Sequence, residues 1–271
     1  MTPKKIKLLL IIHSLDVGGA EGQVYELVKG LDKKRYEPVV CSLTSQGAYI
    51  EKLRAEGIRV VVIGNRLRQL PSKLNKLVRL IRQEKFDIVQ NVMFTAGVIG
   101  TIVARACRVP VVINCIRSLG FLHYGYRRPV KRILYKMSDC VIANSNQTKS
   151  LLIMHRITQA AKIHTVYNGV DLDRFRPAAN PHSLEDRKAA IGLGHENSPI
   201  IGMVANLSPV KNHDCLLKAI PKILKEFPRA AFLLIGSGSL KDSLKLTAQY
   251  LGIQRSVFFW AKERTLPSCC V

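Results

Sequence analysis

The chain has 271 residues of which 47% are hydrophobic, enough to bury a substantial core in one large or two modest domains, and this excludes a disordered chain. Its longest nearly apolar run, Val92 to Ala104, is shorter than the roughly 20 residues a membrane helix needs. The formal net charge is +23 and uneven: residues 1–170 carry +18 and residues 171–271 carry +5. Such a field suits polyanions or anionic membrane surfaces, although it also serves a plain solubilising surface. No nucleic-acid motif is present, and with 6% aromatic residues a base-stacking platform is not expected.

The start, Lys4 to Ile12, imitates a signal peptide, but its apolar core is short and no small-residue cleavage site follows. A cytoplasmic protein is expected, with a peripheral position at the inner face of the membrane left open. The seven cysteines form no C-x-x-C pair, which argues against a zinc ribbon or a thioredoxin motif. Most are expected in the core, with Cys269 and Cys270 the exposed ones.

Ile6 to Ile12 is apolar apart from Lys7 and reads as a strand buried on both faces. His13 to Glu21 (HSLDVGGAE) follows, and Val24, Leu27, Val28 and Leu31 then recur at helical spacing. This strand–loop–helix order puts the N–H groups of Gly18 and Gly19 at a helix N-terminus, a candidate anion site. Alternatively the two glycines merely make the turn, since neither a Walker A sequence nor a full G-x-G-x-x-G is present.

The alternation continues with strands at 38–43, 59–63, 87–92, 109–115, 139–143 and 162–166, and helices at 48–55, 73–83, 95–107, 129–136 and 147–156. Seven strands separated by helices predict an α/β fold with a doubly wound parallel sheet, because parallel neighbours need crossover connections. Ligands of such sheets sit at the carboxyl ends of the strands, where Gly18, Gly19, Arg117 and the loop through His123 would lie.

Two basic clusters stand out. One runs from Arg66 and Arg68 through Lys73, Lys76, Arg79 and Arg82 to Lys85. In the other, Arg128, Lys131, Arg132 and Lys136 are expected to share one helix face, with Val130, Ile133, Leu134 and Met137 opposite. Such a helix suits an anionic bilayer surface, or it is an ordinary core-packed helix with a solvated basic face.

Near Val166 a strand gives way to Asn168-Gly169, residue types that tolerate positive φ, so a turn is predicted there. The polar stretch that follows sets the expected organisation: a first domain at 1–170, a linker at 171–198 and a second domain at 199–271. The second domain repeats the pattern: a strand at 199–205, Asn206 to His213, a helix, a strand at 231–235 entering Gly236-Ser237-Gly238-Ser239, another helix, and a strand at 257–260.

Taken in order, DVGGAE at 16–21, DCVIANS at 139–145, VYNGVDLDRFRP at 166–177, VANLSPVKNH at 204–213 and LLIGSGS at 233–239 resemble the retaining glycosyltransferases of group 4, which have the GT-B fold. The resemblance implies two Rossmann-like domains facing each other across a cleft, the first binding a glycan or lipid-linked acceptor and the second a nucleotide-sugar donor. It implies that Lys211 holds the donor diphosphate and that Gly18 and Gly19 border the phosphate and the acceptor. Gly236 and Gly238 match the nucleotide loop, and no metal is implied. Asn206 stands where many relatives place a basic partner for the diphosphate, and Gln90 to Phe94 lacks the histidine many relatives carry. The family's two glutamates in an E-G-F context would lie past Val271, so the second domain is expected to be partial. A catalytically impaired remnant that keeps the acceptor and anionic-surface domain is the alternative expectation.

Overall fold

The computed structural model describes residues 4–44, 47–64, 70–118, 127–173, 175, 193–194 and 198–260. The chain divides into two compact units, Met1–Asp171 and Leu172–Val271. Most of the expected linker at 171–198 lies outside the described residues, as do Arg66, Arg68, His123, Cys269 and Cys270.

The first unit is built on seven strands: β1 (Ile6–Ile12), β2 (Tyr36–Ser42), β3 (Arg59–Val62), β4 (Ile88–Val92), β5 (Val111–Ile116), β6 (Cys140–Ala143) and β7 (Ile163–Thr165). All pair in parallel, in the order β3-β2-β1-β4-β5-β6-β7. Six helices connect them: α1 (Gly19–Gly30), α2 (Tyr49–Ala55), α3 (Leu70–Glu84), α4 (Phe94–Ala106), α5 (Arg127–Met137) and α6 (Asn146–Met154).

The two-residue period of β1 separates the core into two layers. Leu9 and Ile11 face a cluster with Leu77 and Ile81 of α3 and Val103 of α4. Leu8, Leu10 and Ile12 face Val24 and Val28 of α1 and Ile50 and Leu53 of α2. With helices on both faces, β1 has no polar side to present, which is why its sequence is nearly continuous aliphatic.

Two aspartates fix strand starts by the same device. Asp87, just before β4, accepts the Lys7 N–H at 2.8 Å, and Asp139, just before β6, accepts the Val112 N–H at 2.7 Å. Asp139 is also paired with Arg105 of α4 at 2.7 Å. Burial pushes the Asp139 carboxyl up, but the Val112 N–H and Arg105 more than offset this and hold it below the ordinary carboxylate range. Inside the sheet, Asn114 donates to Thr101 at 2.8 Å and to Ser138 at 2.6 Å, so the buried amide is satisfied across β5, α4 and the end of α5.

Among the described residues the second unit has three parallel strands, β8 (Ile200–Val204), β9 (Ala231–Ile235) and β10 (Val257–Trp260), in the order β10-β9-β8. Helices α7 (His213–Glu226) and α8 (Lys241–Tyr250) supply Leu217, Ile220, Leu244 and Ala248 to a core around Phe232 and Leu234. β9 is buried throughout, whereas β8, an edge among the described residues, leaves Val204 74% exposed.

Two expectations are corrected. Cys215, on the first turn of α7, is exposed, so exposure is not confined to the terminal cysteines. No turn forms at Asn168-Gly169: neither residue has positive φ, and the chain runs on irregularly to a turn at Leu172 and Asp173.

Because the Asp139 carboxyl titrates low in the fold, its stabilisation is present above about pH 4, its unfolded range, and is lost as pH falls through the folded value. Asp139→Asn is expected to lower the unfolding free energy by about 1–2 kcal/mol at neutral pH, given its partial exposure. Urea denaturation across pH checks this, with the deficit shrinking on acidification.

Candidate functional site

The strand order of the first unit reverses between β1 and β4, and in open α/β sheets the crevice at such a switch point is where ligands bind. The loop after β1 and the first residue after β4 border it. Met93, at that second position, adopts φ 73° and caps α4, a backbone state that side chains other than glycine rarely occupy. Its N–H is anchored to the Cys115 carbonyl at 3.1 Å. No feature of the sequence pointed to Met93.

Gly18 and Gly19 stand where the sequence placed them, as the N-cap and first residue of α1. Gly18 has ordinary extended backbone, and a Cβ there would meet only the end of the flexible Glu21 side chain, which would have to move aside. Glu21 folds back over the helix N-terminus, where the nearby N–H groups of Glu21 and Ala20 favour its charged form. Burial is the main cause that raises its titration above the ordinary range, reinforced by the charge of Asp16. The anion position at α1 therefore carries one of the chain's own carboxylates. A glutamate at the third helical residue is a capping signal that sequence reading could have used.

Segment 166–171 is fastened to the first unit rather than turned. The Gln23 side chain of α1 donates to the Gly169 carbonyl at 2.7 Å and accepts the Gly169 N–H at 2.9 Å, as a neighbouring strand would. Lys29 of the same helix pairs with Asp171 at 3.0 Å, and Arg117, one residue past β5, donates to the Asn168 side chain. Arg117 thus lies at a strand's carboxyl end as expected, with its guanidinium already on the Asn-Gly segment. Gln23 and Lys29 were not singled out, because nothing local in sequence ties them to residues more than 140 positions away.

The basic face predicted for α5 is rotated. Lys131 is only 5% exposed, with its ammonium 5.8 Å from the centre of the Phe94 ring, and Leu134, Tyr135 and Ser138 share its buried side. Ile133, expected on the apolar side, is 60% exposed. The physical reason is that α5 packs across the sheet edge through Leu134 and Tyr135, and one margin of the basic stripe turns inward with them. Lys131 is therefore not a surface contact. Arg128 is half-buried, with its Nε out of solvent and unpartnered among the described residues. Arg132 donates to the carbonyls of His155 and Arg156 at the end of α6, and Lys136 is exposed.

In the second unit the loops after β8 and β9 interlock. Leu207 N–H donates to the Ser237 carbonyl at 2.9 Å, and Leu240 N–H to the Leu207 carbonyl at 3.2 Å. Gly236 has φ 152°, and a Cβ there would strike the Ala205 carbonyl; one at Gly238 would strike that of Leu207. Contact between the two loops thus accounts for both glycines. Asn206 and Lys211 are exposed, Lys211 ending a single 3-10 turn (Pro209–Lys211) just before α7. Lys211 pairs with no carboxylate among the described residues. His213 opens α7, is buried, and has neither ring nitrogen hydrogen-bonded among the described residues. Burial, then the Lys211 charge, lowers its titration below the ordinary imidazole range. Among the described residues no group of three or more His, Cys, Asp or Glu could hold a metal ion.

Two parallel-sheet units with glycine-bearing loops and helix N-termini gathered at the strands' carboxyl ends define a GT-B architecture. HepE of Anabaena, solved with UDP and glucose, superposes with a TM-score of 0.80 at 22% identity, over 97% of this chain and 71% of HepE. Residues 17–174, more than half of the chain, match the model for Glycosyltransferase Family 4, and residues 186–267 match that for Glycosyl transferases group 1. The chain belongs to glycosyltransferase family 4. Among curated relatives, the UDP-Gal:alpha-D-GlcNAc-diphosphoundecaprenol alpha-1,3-galactosyltransferase of Escherichia coli is 31% identical over 65% of this chain and 47% of its own length. The GDP-mannose-dependent alpha-(1-6)-phosphatidylinositol monomannoside mannosyltransferase of Mycolicibacterium smegmatis is 27% identical over 88% and 61%. The chain thus spans about half to three fifths of these two relatives.

Gln23→Ala is expected to speed amide exchange at Gly169 about tenfold or more while leaving the β1 amides protected, as read by hydrogen exchange. Gly236→Ala should cost about 2 kcal/mol or more in urea denaturation, because strain and the Ala205 carbonyl act together.

Proposed function

We propose that the chain transfers a sugar from a nucleoside diphosphate sugar to a glycan or lipid-linked acceptor, with retention of anomeric configuration. Family membership supports the reaction class, and the observation that carries the site is Lys211: an exposed ammonium, pairing with no carboxylate among the described residues, where a strand's carboxyl end leads into a helix N-terminus. As the glycosidic bond breaks, the departing diphosphate gains negative charge. An ammonium and the N–H groups opening α7 are suited to that charge, and the Asn206 amide adds a neutral donor. In this reading Lys211 supplies the neutralising charge and no metal is required.

The relatives' substrates suit the same reading. UDP-galactose and GDP-mannose are nucleoside diphosphate sugars, and a diphosphoundecaprenol-linked GlcNAc and a phosphatidylinositol monomannoside are both anionic lipid-linked acceptors. A first domain carrying +18 over residues 1–170 suits an anionic acceptor. An acceptor phosphate reaching α1 at Gly18 and Gly19 would displace the Glu21 carboxylate, and protonation of Glu21 would favour the exchange. Retention places the acceptor hydroxyl on the face from which the diphosphate leaves.

The test is turnover by the 271-residue chain of a panel of UDP- and GDP-sugars with lipid diphosphate-linked acceptors, the product anomer being read from proton coupling constants. Lys211→Ala is expected to lower kcat/KM by about 10²–10³-fold with unchanged circular dichroism. Absence of both donor binding and turnover in the wild type would overturn the reading.

A further inference from the structure

Away from the strands' carboxyl ends, the first unit holds a cavity of about 580 Å³ at the opposite edge of the sheet, where α5 and α6 end and β7 begins. That volume lies in the range of small-ligand pockets. Arg132, Lys136, Arg156 and Lys162 give it a strongly cationic lining. Tyr135, Ile153 and Ile157 supply an apolar wall, and Thr158 and Gln159 add uncharged polar groups.

The chain around the cavity leaves that charge unneutralised. From Arg127 to Val170 there are eight lysines and arginines against one acid, Asp139, which is already engaged by Arg105 and the Val112 N–H. None of the four lining cations pairs with a carboxylate among the described residues. Backbone carbonyls bring them together instead. Arg132 donates to the carbonyls of Arg156 and His155 at 3.0 and 3.1 Å, and Lys162 to those of Lys136 and Ser138 at 3.0 and 2.9 Å. Each of these two held cations thus stands against the backbone of a second cation, Arg132 beside Arg156 and Lys162 beside Lys136, whose own side chain is exposed. The ends of α5 and α6 offer about half a negative charge each, so they offset about one of the four positive charges. Arg132 uses two of its five N–H donors on carbonyls and Lys162 two of its three, so donors remain on side chains whose rotamers are already fixed. A ligand recruits such donors at little cost in side-chain entropy.

Positive charge in excess, with donors on four side chains around one cavity, suits a dianion with three terminal oxygens better than a singly charged carboxylate. The apolar wall suits an organic body, and Thr158 and Gln159 suit hydroxyl groups on it. We propose that this cavity binds a soluble phosphate monoester of a sugar, free or within a nucleotide, at a site separate from the strands' carboxyl ends. Lys136 and Arg156 engage the phosphate together with the remaining donors of Arg132 and Lys162, and the sugar lies against Tyr135, Ile153 and Ile157.

Magnetic resonance titration of the full chain with isotope-labelled isoleucine methyl groups, without donor or acceptor, reads the cavity independently of any transferase activity. Glucose 6-phosphate and uridine monophosphate are expected to shift the Ile153 and Ile157 methyl signals saturably, whereas glucose and uridine do not. Inorganic phosphate, which lacks the organic body, should bind about tenfold more weakly than the esters or worse. Lys136→Glu with Arg156→Glu should weaken ester binding by about tenfold or more, and the charge-matched control on α3, Arg79→Glu with Arg82→Glu, less than threefold. Arg156 holds left-handed backbone, φ 51°, one residue past the C-cap of α6, where glycine is favoured. Arg156→Gly should therefore unfold at no lower urea concentration than the wild type while binding the esters severalfold more weakly. Lys211→Ala should leave the methyl shifts unchanged, which separates this site from the proposed donor position. Equal losses in the two charge-reversed proteins would reduce the effect to a diffuse field and overturn the site. So would absence of saturable shifts, equal affinity for inorganic phosphate and the esters, loss of the shifts in Lys211→Ala, or shifts produced by phosphatidylglycerol vesicles alone.

Discussion

Parallel pairing of β1 with β2 on one side and β4 on the other is the constraint on which the first unit depends. A parallel strand cannot be followed directly by its neighbour, so each connection crosses a face as a helix, and both faces of the sheet become buried. The helix N-termini then gather at one edge and the helix C-termini at the other. Gly18 and Met93 stand at the first edge, and the cavity beside Lys136 at the second. The same rule, applied to three strands, brings Lys211 and the glycines of the second unit to the carboxyl ends of β8 and β9.

At those carboxyl ends the chain already satisfies much of what a ligand would satisfy. Glu21 lies over the start of α1, and Arg117 is on Asn168. The loops carrying Gly236 and Gly238 press on residues 205–207. Lys211 differs, an exposed ammonium before a helix N-terminus, and for that reason the proposed chemistry rests on it rather than on the glycines. Met93 and His213 are its strained and buried counterparts, one held at positive φ by the Cys115 carbonyl and the other buried two residues from Lys211.

The distribution of charge acquires meaning once each cation's partner is known. Lys131 is taken inward over Phe94, Arg132 and Lys162 cap helix ends, and Lys29 and Arg117 hold the segment after β7. What remains exposed on α5 and just past α6, Lys136 and Arg156 with Ile133 and Met154, is a smaller and more mixed surface than a helical wheel of residues 128–136 implies.

The sequence by itself determined the succession of strands along the chain, the alternation with helices and the placement of Gly18, Gly19 and Lys211 at helix starts. These follow from local periodicity, because an aliphatic run such as Leu8–Ile12 has few alternatives to a doubly buried strand. Only the tertiary structure decided which way α5 is rotated, that Asn168-Gly169 is clamped by Gln23 instead of turning, and that Glu21 fills the space beside Gly18. Each of these is settled by packing between residues distant along the chain or by side-chain rotamers. Such contacts leave no period in the sequence to be read.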